Sequence, residues 1–263
     1  MSSFSSVENA ISNMTLKQYV TIKKTDISDN YISHLIDYSI PGSYSVMDLD
    51  RPVAYYVEYL ESRYTTREKS QFVDTGIKVN NDLTITMEFN PGMNNSQGWE
   101  VYFGTGDMDS STMNIALRKF STLRQNMNVW YGYNGDTSRN YAISTSSKNL
   151  IILKNGSVTV NGNKRILPIT TINNSYNSTM YLFAGCRKDN LTSDAYNGIW
   201  RASSCRIYYF KVERTSTNEK ICEYIPCVDA LKNRPGFYDT VTKTIRYQGN
   251  SKADELTIGP KVN

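Results

Sequence analysis

Two Asn-Gly pairs set close together constrain this chain more than any other feature. Asn155-Gly156 and Asn161-Gly162 bracket Val158-Thr159-Val160, and Leu150-Ile151-Ile152-Leu153 lies just upstream. Nothing longer than a few residues of extended chain fits between turns so near each other. Asn-Gly supplies the positive φ angles that tight β-hairpins demand. A third pair, Asn134-Gly135, follows the run from Met127 to Tyr133, so this region is expected to be a succession of short antiparallel strands.

The same texture runs outward in both directions. Leu83, Ile85, Met87 and Phe89 alternate with Thr84, Thr86 and Glu88, the pattern of a strand with one buried and one wet face. Pro91-Gly92 closes it. Further strands are expected at Tyr55 to Tyr59, Val73 to Ile77, Trp99 to Phe103, Asn114 to Leu117, Tyr141 to Ser144, Met180 to Ala184 and Ser203 to Val212. Residues 187–200 read as a long polar loop. Arg206 to Val212 and Ile221 to Ile225, separated by the polar stretch Thr215 to Asn218, predict a hairpin whose second strand stops at Pro226. Pro235-Gly236 is then expected to turn Phe237-Tyr238-Asp239 inward, ahead of a final pair, Val241 to Thr244 and Ile245 to Tyr247. An all-β sandwich accounts for this series, and single-core sandwiches run to about 200–250 residues.

Residues 1–51 differ in character. Ser6 to Met14 places Val7, Ala10, Ile11 and Met14 on one face of a short helix capped by Ser5 or Ser6. Tyr19 to Ile22 and Tyr31 to Ile40 are apolar runs, the second ended by Pro41-Gly42. About 50 residues make a marginal core alone. The expectation is a small α/β attachment segment at 1–51 that docks on other chains or on copies of itself, in a dimer or trimer, followed by one sandwich domain at 52–263.

The motifs of the sandwich resemble those of a known family. Glu58-Tyr59-Leu60-Glu61-Ser62 leading to Phe72-Val73-Asp74-Thr75-Gly76-Ile77 opens the series, and Trp99-Glu100-Val101-Tyr102-Phe103-Gly104 and Tyr181-Leu182-Phe183-Ala184 continue it. Tyr208-Tyr209-Phe210-Lys211, a strand ending in Pro226-Cys227, and Gly236-Phe237-Tyr238-Asp239 complete the set. Together they resemble the concanavalin A-like, laminin-G-like jelly roll found in surface proteins and phage virion proteins of gut bacteria. The resemblance implies a jelly-roll sandwich of two antiparallel sheets and a lectin-like role.

Composition and chemistry narrow the function. The net charge of +4 is dispersed, with no basic run beyond Lys23-Lys24, so nucleic acid is not expected as a partner. The first twenty residues lack an apolar export segment and no stretch is long enough to span a membrane. With a lectin-like fold this points to assembly in a host cytoplasm and release by lysis, on the surface of a virion. Glycoside hydrolases of this fold need two carboxylates on one strand about 5 Å apart. Here Glu100 stands alone and Glu88 has no acidic neighbour, so both read as solvated and the chain as non-catalytic. The single histidine, His34, lies in the appendage.

Sugar contact calls for an aromatic platform beside amides. Trp130, Tyr133 and Asn134 form one such set, Trp99 with Gln97 another, and Trp200 with Tyr196 and Asn197 a third. No cofactor is expected. Asp107 and Asp109 are the pair that a calcium ion would use, with Asp136 and Asp189 in other loops. Cys186, Cys205, Cys222 and Cys227 fit buried free thiols, with a Cys222–Cys227 bridge as the alternative. The reading is a non-catalytic bacteriophage head- or tail-fibre or decoration subunit that touches host glycans. A bacterial surface carbohydrate-binding module or adhesin is the alternative, and a glycoside hydrolase is third.

Overall fold

In a computed structural model, residues 35–36, 46–47, 54–63, 65–66, 68–92, 100–105, 115–119, 126–131, 141–169, 171–172, 179–186, 199–200 and 202–262 are described. The chain divides into two units, Met1–Val53 and Ala54–Asn263. In the first, β1 (Leu35–Ile36) pairs antiparallel with β2 (Val46–Met47). The expected helix at 6–14 and the strand at 19–22 lie outside the described residues, as do His34 and most of the run from 31 to 40.

The second unit is all-β, with no helix among the described residues. In chain order its first strands are β3 (Ala54–Tyr56), β4 (Leu60–Glu61), β5 (Val73–Lys78), β6 (Leu83–Asn90), β7 (Glu100–Thr105), β8 (Ile115–Lys119) and β9 (Asn126–Tyr131). Then come β10 (Tyr141–Ala142), β11 (Asn149–Lys154), β12 (Ser157–Val160), β13 (Asn163–Ile166), β14 (Thr179–Leu182), β15 (Gly185–Cys186) and β16 (Ile199–Trp200). The last are β17 (Arg206–Arg214), β18 (Lys220–Asp229), β19 (Arg234–Asp239), β20 (Thr244–Tyr247) and β21 (Thr257–Ile258). They build two sheets. One runs β13-β12-β11-β6-β17-β18-β19-β20, the other β10-β9-β8-β7-β14-β5. Neighbours along both paths are antiparallel, so the architecture is a two-sheet β-sandwich.

The core is the meeting of the two inner faces. Leu83, Ile85, Met87 and Phe89 of β6 are buried while the residues between them are partly exposed, as the alternation predicts. Ile115 and Leu117 of β8 and Met127 and Val129 of β9 enter the same cluster from the other sheet. Rings tie the layers together. Phe103 meets Phe210 edge-on at 5.8 Å between centroids, Phe210 meets Tyr224 at 5.9 Å, and Tyr224 meets Phe237 at 6.2 Å.

The turns follow their chemistry closely but not uniformly. Asn161 and Gly162 both take positive φ, at 48° and 83°, in the two-residue link between β12 and β13. At Asn155-Gly156 only the glycine does so, at 80°. Asn149 is fully buried and holds this corner: its amide nitrogen donates to Ser144 O at 2.7 Å, and its Oδ1 accepts from Ser144 N–H and from Asn161 Nδ2.

Several expectations are corrected. Pro226 does not end its strand, for β18 continues to Asp229. Beyond Tyr224 the ladder to β17 is replaced by one to β3, with Cys227 paired to Tyr56, and the missing N–H of Pro226 falls in the fork between them. Pro235 and Gly236 lie inside β19, and the turn sits just before them, with Asn233 at φ 49°. Val241 to Lys243 form a turn rather than a strand, linking β19 to β20. Ile199 and Trp200 leave the expected loop and pair with β15.

The fork has a further occupant. β4 lies between β17 and β21, pairing Ile207 with Leu60 and Ile258 with Leu60 on its two edges. Val57 bridges Lys261, and Val262 N–H donates to Tyr56 O at 3.0 Å. Residues 54–61 and 257–262 therefore run side by side, antiparallel.

Candidate functional site

The sheet that carries β7, β8 and β9 has an inner face in the core and an outer face turned away from it. Ala116 and Arg118 of β8 and Asn128 of β9 belong to the outer face, because Ile115, Leu117, Met127 and Val129 between and beside them enter the core. A bulge between Val101 and Phe103 changes the phase of β7, so that Val101 and Gly104 join the outer face. Gly104 sits where a side chain has no room: a Cβ there would meet the Ala116 Cβ at 2.9 Å and Val101 Cγ1 at 3.1 Å.

One row of the backbone register crosses this sheet. Trp130 pairs with Ala116, Ala116 with Gly104, Gly104 with Gly185, and Gly185 with Trp200. At strand spacings of about 4.8 Å the two tryptophan positions are about 19 Å apart along the row. Between them stand Ala116, Gly104 and Gly185, and Tyr181 of β14 is also paired to Gly104. Ala116, Gly104 and Gly185 of the row are buried, and so are Arg118 and Asn128, direct partners in the adjoining rung, so this stretch of the outer face is covered.

Phe183 puts the far end of the row in place. β14 runs antiparallel to β7 as far as Leu182, and the chain then reverses so that β15 runs parallel to β7. Phe183 makes the reversal at φ 65°, a conformation that bulky residues rarely hold. Its N–H donates to Tyr102 O at 2.7 Å and its carbonyl accepts from Ser203 N–H at 2.7 Å, which fixes the reversed peptide on both sides. β15 then receives β16, and with it Trp200.

Of the sequence-selected residues, Trp130 and Trp200 are thus brought into one row from distant parts of the chain. Tyr133, Asn134, Trp99, Gln97, Tyr196, Asn197, Asp107 and Asp109 lie outside the described residues. So do Asp136 and Asp189. Among the described residues no three His, Cys, Asp or Glu side chains converge as a metal-binding group.

Glu100 is not the solvated side chain that its isolation suggested. It is 1% exposed, because the bulge in β7 turns it inward, where its charge acts on the Cys205 thiol. Burial pushes that thiol up to about 12, and Ser203 Oγ stands 3.4 Å from the sulfur. Cys222 and Cys227 are also buried and free, each pushed up to about 12 first by burial. The alternative of a Cys222–Cys227 bridge is therefore set aside. Burial thus favours the protonated thiol at all three positions, the environment of structural rather than reactive cysteines.

A separate polar group lies on the other sheet. Glu223 accepts from Tyr209 OH at 2.7 Å, Lys220 Nζ at 2.9 Å and Thr240 Oγ1 at 2.7 Å. The bonds from Lys220, Thr240 and Tyr209 hold its carboxyl down at about 2. Such a carboxylate is a poor general acid or base at neutral pH and reads as a surface staple.

No family model, curated protein or solved structure matches this chain.

Proposed function

We propose that this chain is a non-catalytic structural protein of a bacteriophage particle, a head- or tail-fibre or decoration subunit. Its sandwich is a concanavalin A-like jelly roll that touches host-surface glycans, and residues 1–51 attach it to other virion proteins and to its own copies. The observation that carries the glycan reading is the row in which Trp130 and Trp200 stand on one sheet. Tryptophans at both ends of one backbone row support contact with an extended saccharide, whose apolar sugar faces stack on aromatic rings while its hydroxyls seek amides. Single contacts of this kind are weak. Many copies on one particle make them effective by multivalency.

A glycan array probed with the full-length chain tests the reading. Binding is expected to a restricted set of surface glycans and to fall about tenfold or more in Trp200→Ala and in Trp130→Ala, with the melting temperature of each variant measured beside it. An array with no retained glycan, or binding unchanged in both variants, would sink it.

A further inference from the structure

We propose that Arg246 is the binding group of a carboxylate site at the seam between the two sheets. The inference rests on the glycan reading for its ligand class: a sugar acid such as a uronic acid residue. β20 closes one sheet and β5 the other. Among the described residues the two sheets meet here at an isolated bridge, Val73 to Gln248, with Gly249 N–H donating to Phe72 O beside it at 2.9 Å, and no ladder continues along β20. Arg246 projects into this seam. Its two terminal nitrogens come within 3.5 and 3.7 Å of the point where Gly76, on β5, would carry a Cβ.

Arg246 is partly buried, and its Nε is sealed from solvent without a hydrogen-bond partner. Among the described residues no carboxylate pairs with it. The nearby acids are all engaged elsewhere. Asp239 accepts from Glu223 N–H, Val241 N–H and Thr242 Oγ1. Asp74 accepts from Gly76 N–H and from Thr179 Oγ1. A partly desolvated cation without a counter-charge costs stability, and a planar carboxylate with two oxygens is the ligand that a guanidinium fork fits. The seam thus presents a fixed positive charge with its donors oriented and its competitors occupied.

Phenylglyoxal labelling of the full chain, followed by peptide mapping, tests this directly. Trigalacturonate is expected to slow modification of Arg246 by about tenfold, while neutral trigalactose leaves it unchanged. Arg206 and Arg234, both held by glutamates, serve as internal controls. Arg246→Gln should lose trigalacturonate binding, with Arg246→Lys intermediate. Neither should lower the melting temperature, since no internal bond is removed; a marked fall would mean that the arginine is structural and would overturn the site. Equal labelling with and without trigalacturonate overturns it too. In that case, neutral glycans still retained on the array would leave the proposed function standing. Protection by trigalacturonate in Trp200→Ala as in the parent supports the site even where the tryptophan row fails.

Discussion

Lys243 holds φ at 60° in the turn between β19 and β20, a conformation that costs an L-residue roughly 1–2 kcal/mol and glycine almost nothing. Lys243→Gly should therefore stabilise the domain by about 1 kcal/mol, a rise of about 2–4 °C in thermal unfolding. Glu223 gives a pH signature. Its carboxyl is depressed to about 2 in the fold against 4.5 for the ordinary side chain, so its contribution is complete above pH 4.5. That contribution declines as pH falls from 4.5 toward 2. Melting curves of the parent and of Glu223→Gln across this window should converge at the acidic end and separate above it; parallel curves would remove the assignment. The sulfurs of Cys205, Cys222 and Cys227 should resist alkylation in the native protein at pH 8 and react once denaturant is added. Peptide mapping checks this site by site.

At the scale of strands, the alternation in β6 and the Asn-Gly link before β13 were legible because the cause is local: one wet face, one turn geometry. Pro226 was misread because its missing donor falls in a fork filled by residues 54–61, which no local pattern announces. Glu100 was misread because a bulge next to it changes which face it takes. Trp200 reads as loop in the sequence because its strand exists only through pairing with β15, itself placed by the reversal at Phe183. The candidate site was legible as residue types and illegible as a constellation. Trp130 and Trp200 share a row only through pairings of β15 and β16 that no single stretch of chain encodes. The edge strand β13, paired only with β12 among the described residues, carries its own expectation. Lys164 and Arg165 are exposed there beside Ile166, 69% exposed, and charge on an edge strand discourages pairing with another chain. Replacing both by isoleucine should raise light scattering on heating well before the unfolding midpoint of the parent.

For the whole molecule, Phe210 tests whether the two sheets form one cooperative unit. It touches Phe103 of one layer and Tyr224 of the other, and Phe210→Ala should cost about 3–5 kcal/mol in a single denaturant transition. Two transitions would mean that the sheets unfold separately. The proposed attachment role of residues 1–51 is checked by light scattering on the full chain and on residues 53–263. A multimer that becomes a monomer on truncation supports it; the same mass per particle in both states argues against it.

The antiparallel pair formed by residues 54–61 and 257–262 also has a mechanical meaning. A force applied between residues 54 and 262 meets the pair at its open end and loads its hydrogen bonds one after another, as a zipper is drawn. A force entering at residue 54 and leaving through the row between Trp130 and Trp200 bypasses that zipper and is shared across the sheets instead. Resistance to pulling is thus set by where the load leaves the domain, and a domain gripped at residue 54 and at its tryptophan row would hold where one gripped at residues 54 and 262 would peel.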